Sequence, residues 1–416
     1  MADFTYRCAH CGATYAADAV TYTCPQCNGN LDVLLDYDAL KPEAERLFAE
    51  PAGKEASLWR YLPLLPVGDP GGEGTPLRRA GWTPTYTLPQ LAASLGLQQF
   101  WLKDESPNPT ASFKDRASAV VVARAREIGA EVVITASTGN AGAALAGMAA
   151  AVGHKAVILA PKTAPQAKIA QLLVFGAEVV LVDGTYDDAF DLSVAAAEKL
   201  GWYCRNTGYN PFTAEGKKTA AYEIYEQVIR PHGLKRLNVF VSVGDGNIIS
   251  GVYKGFWDLH RLGLLETMPR LFGVQAEGSA AIAKAWEADS EEIAPVSAQT
   301  LADSISVDLP RDGFRALRAV RETDGAYITV PDEAILAAIA EVGKTGVFPE
   351  PAAATAFAGL KAALAQGLIT PDEPVLVLST GSGLKDVGAA MKAVSPAPIV
   401  PPDLDALSRL LTNPKA

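Results

Sequence analysis

A lysine stands near the start of a helix that the sequence predicts, where an amine can react. Lys114 lies in Pro-Thr-Ala-Ser-Phe-Lys-Asp-Arg (residues 109–116), and an apolar stretch follows at 117–125. Ser112 is placed to cap the helix, with Asp115 three residues later, close to a capping box. The helix dipole and partial burial both lower the pKa of an amine there. Lys114 is therefore either a solvated lysine on a capped helix or an amine that forms an imine with a carbonyl cofactor.

Three further turns, rich in Gly, Ser, Thr and Asn, follow stretches typical of buried strands. Their sequences are Ala-Ser-Thr-Gly-Asn-Ala-Gly at 136–142, Ser-Val-Gly-Asp-Gly-Asn-Ile at 242–248 and Ser-Thr-Gly-Ser-Gly-Leu-Lys-Asp at 379–386. Free N–H groups and hydroxyls at helix N-termini bind carboxylates and phosphates, whereas a plain N-cap needs only one such residue. The second turn is not GxGxxG, so it does not favour a nicotinamide cofactor. In the third turn, Thr380 or Ser382 offers a neutral hydroxyl to a ring nitrogen.

Four of the five cysteines form two pairs near the N-terminus, Cys8-x2-Cys11 and Cys24-x2-Cys27. Two such pairs bring four thiolates onto one tetrahedron, which suits Zn²⁺. A site made of four cysteines leaves no open coordination position, so we expect a structural zinc ribbon rather than a catalytic or redox metal. Disulfides are the alternative, and a cytoplasmic chain disfavours them.

Length and composition exclude several classes of protein. The chain has 416 residues, of which 49% are hydrophobic and 20% charged, as in folded proteins with two or three domains. The net charge is −11 and no run of Lys or Arg appears, so nothing indicates a nucleic-acid partner. No apolar run is long enough to span a membrane, and the first residues lack a signal-peptide core. We therefore expect a cytoplasmic protein that does not contact membranes.

The elements that must position these groups alternate between strand and helix. From about Phe100, short β-branched runs alternate with Ala-rich amphipathic stretches, which is the pattern of βαβ units and a mainly parallel sheet. One set of units follows residue 130, and a second begins near Leu237. The sequence predicts two α/β domains that face one another, with the zinc ribbon appended.

The four turns, in this order on two α/β layers, resemble the fold type II pyridoxal-phosphate enzymes and, among them, the threonine synthases. Other matching stretches are Glu-Gly-Thr-Pro-Leu at 73–77, Thr-Leu-Ala-Asp-Ser-Ile at 300–305 and Gly-Val-Phe-Pro-Glu-Pro-Ala at 346–352. Many threonine synthases also begin with a zinc-ribbon-like segment. The resemblance extends from the cysteine pairs to about Val394. It implies two three-layer α/β domains of the fold type II kind with an N-terminal zinc ribbon held by the four cysteines.

The resemblance also implies domain boundaries and roles by position. The ribbon would be 1–36, the large cofactor-binding domain 37–116 with 210–416, and the small α/β domain 117–209. Lys114 would hold pyridoxal phosphate as a Schiff base and move protons at the substrate α-carbon. Asn140 would bond the ring hydroxyl, and Thr380 would meet the ring nitrogen. Main-chain N–H groups of Gly244, Asp245, Gly246, Asn247 and Ile248 would cradle the cofactor phosphate, and the substrate would be bound by Ser137, Thr138, Ala141, Asn206 and Thr207.

The reaction that the resemblance implies converts O-phospho-L-homoserine and water to L-threonine and phosphate. An enzyme that catalyses it is a carbon–oxygen lyase acting on a phosphorylated amino acid. Many threonine synthases have Asn-Pro-Tyr-Arg where this chain has Asn-Pro-Phe-Thr at 210–213, and their arginine helps to hold the substrate phosphate. Thr213 cannot do so. The nearest cations are Arg205, Lys217 and Lys218, although lysines on helix surfaces are often merely solvated.

Two other functions stay open at this point. One is a β-elimination or β-replacement lyase acting on phosphoserine, serine or threonine, similar to cysteate synthases or dehydratases. The other is a zinc-ribbon binding protein whose α/β body has lost catalysis, although Lys114 and the three other turns are intact. By resemblance we also expect a homodimer.

Overall fold

The computed structural model describes residues 3–51, 53 and 55–412 of the chain. Within them the strands, in chain order, are β1 (Phe4–Cys8), β2 (Thr14–Ala16), β3 (Leu31–Leu35), β4 (Thr85–Tyr86), β5 (Phe100–Asp104), β6 (Val132–Ala136), β7 (Lys155–Pro161), β8 (Glu178–Val182), β9 (Tyr203–Cys204), β10 (Asn238–Ser242), β11 (Arg270–Ala276), β12 (Ala326–Val330) and β13 (Val375–Ser379).

The α-helices of the same residues are α1 (Tyr37–Ala49), α2 (Pro89–Ser94), α3 (Lys114–Glu127), α4 (Asn140–Ala150), α5 (Gln166–Val174), α6 (Tyr186–Leu200), α7 (Phe212–Ile224), α8 (Arg230–His232), α9 (Asn247–Arg261), α10 (Ala281–Glu287), α11 (Gly313–Arg321), α12 (Asp332–Gly343), α13 (Pro351–Ala365), α14 (Val387–Ala393) and α15 (Leu404–Thr412). A π-helical segment, Tyr225–Ile229, joins α7 to α8. Among the described helices, none is both long enough and apolar enough to cross a membrane.

A small antiparallel sheet at the N-terminus carries the cysteine pairs. Its strand order is β2-β1-β3, and Tyr6 lies opposite Tyr15 on one side and Val33 on the other. Tyr6 and Val33 are buried, so the ribbon has a small apolar face that packs on the rest of the chain. The predicted ribbon is confirmed as a separate sheet.

A larger sheet has the strand order β12-β11-β10-β13-β5-β4, and its strands are parallel except for β4. Its central strands are buried on both faces, as expected for a parallel sheet covered by helices on each side. Phe240 and Phe272 stack across neighbouring strands with ring centroids 4.6 Å apart. Because the strands are parallel, the turns that follow β10 and β13 lie at the same edge of this sheet.

A second, smaller sheet has the strand order β8-β7-β6-β9, and all of its strands are parallel. The turn at 136–142 follows β6, a central strand, and leads into α4. The predicted α/β class is confirmed. The domain boundaries stay a prediction, and the one between 116 and 117 lies inside α3.

Helices α3, α7 and α9 pack closely against one another beside both sheets. A Cβ on Gly216 of α7 would lie 2.1 Å from the Arg116 carbonyl oxygen of α3. A Cβ on Gly255 of α9 would lie 2.3 Å from the Lys218 carbonyl oxygen of α7. Only glycine fits at these two crossings, and the close packing buries every side chain of α7. Helix α7 therefore brings charged side chains into the interior of the protein.

Candidate active site

Lys114 begins α3, which follows β5 of the larger sheet and precedes β6 of the smaller one in the chain. Burial lowers the pKa of its amine, the carboxylate of Glu350 raises it, and the guanidinium of Arg205 lowers it further. Lys114 is half-buried, and Ser112 and Phe113 of the turn before it are buried, so it is not a fully solvated lysine. A half-buried amine with a lowered pKa has the property that imine chemistry requires.

The predicted capping box at Ser112 is wrong. The helix is capped by Phe113 without a side-chain bond, and Asp115 accepts a hydrogen bond from the Thr110 backbone N–H at 2.6 Å. Ser112 instead pairs through its backbone in an isolated bridge with Gly381. This hydroxyl has no hydrogen-bond partner among the described residues. The bridge also ties the Lys114 turn to the turn at 379–386.

The Thr380 turn lies directly behind the Lys114 turn. The Phe113 backbone N–H donates to the Thr380 carbonyl oxygen at 2.8 Å, and Thr380 is buried. The neighbouring Ser379 hydroxyl is buried and has no hydrogen-bond partner among the described residues. The backbone bond thus joins two turns that lie far apart in the chain. The Ser112 and Ser379 hydroxyls, which have no hydrogen-bond partner among the described residues, can bind a polar ligand.

Asn140 starts α4 and bonds a carboxylate that the sequence analysis gave no role. Its Nδ2 donates to both carboxylate oxygens of Glu350, at 3.0 and 2.9 Å. Burial raises the pKa of Glu350, and the positive charge of Lys114 lowers it. A Cβ on Gly381 would lie 2.6 Å from Glu350 Oε1, so the third turn also closes around this carboxylate. The signal for Glu350 was its place in the matching stretch 346–352.

The turn at 242–248 forms the start of α9. Gly246 has a φ of +94°, and a Cβ there would lie 2.6 Å from the Asp312 carbonyl oxygen, so only glycine fits. The first N–H groups of α9 have no intrahelical partner, as at any helix N-terminus. The side chain of Asp245 accepts from the Arg311 N–H at 2.6 Å through Oδ1, while its buried Oδ2 has no partner among the described residues. The turn is therefore a fixed loop that presents N–H groups.

Two buried cations lie close to Lys114 without a carboxylate to pair with among the described residues. Arg205 donates to Ser118 Oγ at 3.2 Å and to Thr207 Oγ1 at 2.5 Å, and its Nη2 has no hydrogen-bond partner in the same part of the chain. Lys217 donates to Asn247 Oδ1 at 2.5 Å. Both side chains are fully buried.

The charges of these two residues act on each other. Burial lowers the pKa of Lys217 well below its ordinary value, and Arg205 and Lys114 lower it further. Burial also lowers the pKa of Arg205, to about 10. The carboxylates of Asp245 and Asp312 act in the opposite sense and raise the pKa of Lys217, although neither forms an ion pair with it among the described residues. A pair of like charges in the interior is costly unless an anion lies between them. The pair is therefore a candidate site for an anion.

Lys218, the third candidate cation, is not part of this site. Its Nζ lies 2.5 Å from Glu215 Oε2 and 3.0 Å from Asp258 Oδ2, so both neighbouring carboxylates neutralise it. The alternative role for Lys217 and Lys218, that of solvated lysines on a helix surface, does not apply to either, because every residue of α7 is buried.

The residues predicted to bind substrate occupy two positions. Ser137, Thr138 and Ala141 are partly exposed in the turn between β6 and α4, next to a small cavity. Asn206 uses its side chain within the protein: Oδ1 accepts from the Ala136 N–H at 2.9 Å, and Nδ2 donates to Ser193 Oγ at 2.7 Å. Thr207 holds Arg205. The side chains of Asn206 and Thr207 thus bind other residues of the protein, and Thr207 contacts Arg205 of the candidate anion site.

The four predicted metal ligands come together at the ribbon. The sulfur atoms of Cys8, Cys11, Cys24 and Cys27 all lie within 4.8 Å of one another. Cys8 and Cys27 Sγ are 3.4 Å apart, and Cys11 and Cys24 Sγ are 3.6 Å apart. Thiolates held at ~2.3 Å from a zinc ion stand about 3.8 Å from one another in a tetrahedron. The spacing therefore fits a tetrahedral metal and leaves no open position for a substrate.

Comparisons with known proteins agree with this geometry. Residues 77–381 match the family described as pyridoxal-phosphate dependent enzyme. A threonine synthase of Methanocaldococcus jannaschii is 37% identical over 410 residues, which cover 97% of this chain and 98% of the relative. A threonine synthase of Mycobacterium tuberculosis is 35% identical over 347 residues, which cover 82% of this chain and 92% of the relative. The processed form of threonine deaminase isoform 2 from Solanum lycopersicum, at 23% identity, has the same fold, with a TM-score of 0.64 over 86% of this chain and 93% of that one.

Proposed function

The chain belongs to the pyridoxal-phosphate-dependent enzymes and, within them, to the threonine synthases, and from this premise we propose how its own residues turn O-phospho-L-homoserine and water into L-threonine and phosphate. The observation that carries the proposal is the buried pair Arg205 and Lys217 close to Lys114. An interior that holds two unpaired cations needs an anionic partner. A phosphorylated amino acid supplies it.

The residues around Lys114 fit the cofactor. Buried hydroxyls of Ser112 and Ser379 have no protein partner among the described residues. Glycines at 244 and 246 let the start of α9 pack against Ile305 and Asp312, and the N–H groups of a helix start favour a phosphate. We assign Lys114 to hold pyridoxal phosphate, Asn140 to bond its ring hydroxyl and Thr380 to meet its ring nitrogen. The cofactor phosphate would rest on the N–H groups of 244–248.

Lys114 would also move the protons of the reaction. When bound, pyridoxal phosphate makes the hydrogen on the substrate α-carbon acidic and stabilises negative charge at that carbon. Lys114 would take the α-proton and then a β-proton, the bond between the γ-carbon and the phosphate oxygen would break as phosphate leaves, and a proton would be delivered to the γ-carbon. After water has added its OH at the β-carbon, Lys114 would return a proton to the α-carbon. Glu350 lies beside both Lys114 and Asn140, so its charge favours the protonated amine. A single amine therefore serves several transfers, and no His–carboxylate pair is needed.

Two groups of residues would hold the substrate at its two ends. Ser137, Thr138 and Ala141 bind the substrate carboxylate at the N-terminus of α4, where N–H groups favour an anion. Arg205 and Lys217 hold the phosphate in place of the arginine that Thr213 replaces. The Thr213 hydroxyl lies 3.2 Å from Asn247 Oδ1, beside Lys217. In this chain the cation that binds the phosphate would therefore lie one helical turn after Thr213, the position at which many threonine synthases have their arginine.

Product analysis tests the proposed function. We expect purified enzyme with bound cofactor to release equal amounts of threonine and phosphate from O-phospho-L-homoserine, and little product from O-phospho-L-serine. Release of phosphate with pyruvate from phosphoserine, and no threonine from phosphohomoserine, would show a β-elimination lyase instead.

Reduction of the enzyme with borohydride tests the role of Lys114. We expect the cofactor mass on the peptide that contains Lys114, and Lys114→Ala should fold but lose about a thousandfold or more in kcat. Lys217→Ala is the matched control, because it removes a neighbouring buried lysine and should leave the labelled peptide unchanged. Label on any other lysine would contradict the assignment.

We also propose that the ribbon binds one structural Zn²⁺ through Cys8, Cys11, Cys24 and Cys27. The purified protein should contain about one equivalent of zinc. Replacing Cys8 and Cys11 by Ser should release it and lower the thermal midpoint far more than it changes the kcat of the folded fraction. Cys204→Ser, which alters a buried thiol outside the cluster, should keep the zinc. Loss of turnover with an unchanged melting curve would show a catalytic metal.

We further propose that the enzyme works as a homodimer in the cytoplasm, as its resemblance to the threonine synthases implies. Sedimentation of the purified holoenzyme and fractionation of the source cells measure these two properties directly.

A further inference from the structure

The ribbon contacts the rest of the chain next to the anion site. Asn30 Nδ2 donates to the Gly208 carbonyl oxygen at 2.5 Å and to the Arg311 carbonyl oxygen at 3.2 Å. Gly208 follows Thr207, which holds Arg205, and the Arg311 N–H donates to Asp245 of the cofactor turn. One ribbon side chain thus joins two loops that border the site.

A second connection runs from a backbone carbonyl of the ribbon to Lys217 through buried side chains. Arg315 of α11 donates from Nη1 to the Leu31 carbonyl oxygen at 2.9 Å, at the start of ribbon strand β3. Its Nε and Nη2 donate to the two carboxylate oxygens of Asp312, at 2.6 and 2.8 Å. Asp312 Oδ2 accepts from Asn247 Nδ2 at 2.6 Å, and Asn247 Oδ1 accepts from Lys217. Arg315, Asp312, Asn247 and Lys217 are all buried.

We propose that Arg315 is a positioning residue for phosphate recognition, and that through Asp312 and Asn247 it couples the ribbon to the position of the Lys217 amine. The inference rests on the proposed function, because it takes the Arg205–Lys217 pair as the site of the substrate phosphate. It gives the ribbon a role in specificity beyond stabilising the fold.

The chain of bonds fixes the orientation of one amide. Asn247 has an oxygen and an NH2 group at the same end of its side chain, and either can face Lys217. Asp312 accepts only, so it holds the NH2 group on its own side and turns the oxygen towards Lys217. Arg315 holds Asp312 through a two-point contact, which fixes a carboxylate more firmly than a single bond does. Weakening that contact should loosen the Lys217 amine without changing its charge.

Helix α11 offers a matched control for this test. Arg315 and Arg318 both contact Asp32 of the ribbon, at 3.3 and 2.7 Å, but only Arg315 reaches Asp312 among the described contacts of the two. Lysine keeps the charge at either position and loses the two-point geometry. Arg315→Lys and Arg318→Lys therefore weaken the same ribbon contact and differ in the path to Asn247.

The experiment measures inhibition of the holoenzyme by inorganic phosphate, together with KM, kcat, the thermal midpoint and cofactor affinity. We expect Arg315→Lys to raise the phosphate inhibition constant and the KM for phosphohomoserine about tenfold, with kcat within about twofold. Arg318→Lys should change both constants less than about twofold. Both variants should keep the absorbance band of the bound cofactor.

Three outcomes would overturn the inference. They are equal effects of the two substitutions, a lowered thermal midpoint with unchanged phosphate inhibition, and a loss of cofactor affinity alone in Arg315→Lys. If Arg315→Lys does not fold, Asn30→Ala, which removes the bonds to Gly208 and Arg311, is measured in the same way and should also weaken phosphate inhibition. Wild-type enzyme that makes no threonine while Arg315→Lys still weakens phosphate binding would overturn the proposed function and leave the coupling standing.

Discussion

Helix α7 carries two adjacent buried lysines whose surroundings are opposite. Lys218 lies in a network in which Asp258 accepts hydrogen bonds from the Tyr37 and Tyr222 hydroxyls, each at 2.7 Å, and its own charge has a counterpart. Lys217, one residue earlier on the same helix, has the neutral amide of Asn247 and a second cation, Arg205, nearby. The two residues are adjacent in the sequence and equally buried.

The difference shows what separates a structural charge from a functional one. A buried charge that is fully paired stabilises one arrangement of helices, here the crossing of α7, α9 and α1. A buried charge without a counterpart lowers stability in the free protein, and it persists where a ligand supplies the missing charge. Substitution of each lysine in turn should therefore give opposite effects on stability and on phosphate binding.

Lys218→Met should have the largest effect on stability. It leaves Glu215 and Asp258 buried without this cation, and breaking a buried pair from one side costs about 3–5 kcal/mol in the free energy of unfolding. Denaturant unfolding of the holoenzyme measures this cost, and the KM of the folded fraction should stay close to that of the wild type. A raised KM with unchanged stability would show that Lys218 also binds the phosphate and would contradict the difference between the two lysines.

Lys217→Met should lower kcat/KM for phosphohomoserine about ten- to a hundredfold, because a charge-assisted contact to a phosphate contributes about 1.5–3 kcal/mol. The same substitution should stabilise phosphate-free protein by about 1–3 kcal/mol, since it removes an uncompensated buried cation. Because the pKa of Lys217 is lowered in the folded state, its cost to stability grows as pH falls below the ordinary lysine pKa. The gain from Lys217→Met should thus be larger at pH 7 than at about pH 9.5, which denaturant unfolding at the two pH values measures.

Phosphate inhibition should weaken in the wild type at a pH well below the ordinary lysine pKa. Burial lowers the pKa of Lys217, so the free enzyme loses this proton at a lower pH than an exposed lysine does and must take it up again to bind the dianion. Burial raises the pKa of Asp245 to about 7, so this second group is titrated in the same measurement. Lys217→Arg keeps its proton and should flatten the profile, changing affinity at pH 8 only a few-fold. A parallel decline in the variant would assign the pH dependence to another group.

Much of the fold was open to prediction because its signals are local. The turns after β6, β10 and β13 were placed correctly, since strand, small polar residues and helix follow one another directly. Strand β5 is harder to predict from its own residues, because it is buried throughout and yet ends in Lys103 and Asp104. Lys103 is buried because it pairs with Glu223 at 2.8 Å, a residue far along the chain that no local pattern connects with it.

The site was predictable only in part, because several of its contacts join residues that lie far apart in the sequence. Lys114 and Asn140 stand in short motifs, but nothing in the sequence separates Lys217 from Lys218, because their partners, Asn247 and Asp258, both come from α9. Glu350 was passed over because its role depends on a bond to Asn140, 210 residues earlier. The false cap at Ser112 arose because pairing with the turn at 379–386 overrides a local preference.

The contacts of the ribbon also set an order of events during synthesis. Its strands are made first, yet the partners of Asn30 and Leu31 on α11 and before it come 281 and 284 residues later. Closing so long a loop is slow and late in folding. A ribbon already fixed by its metal would dock as a rigid body, with few residues left to order at that step. The contact between the ribbon and α11 therefore forms only after α11 has been made, so a chain that stops short of α11 has its cysteine cluster but lacks Asp312 and Arg315, which connect the ribbon to Asn247.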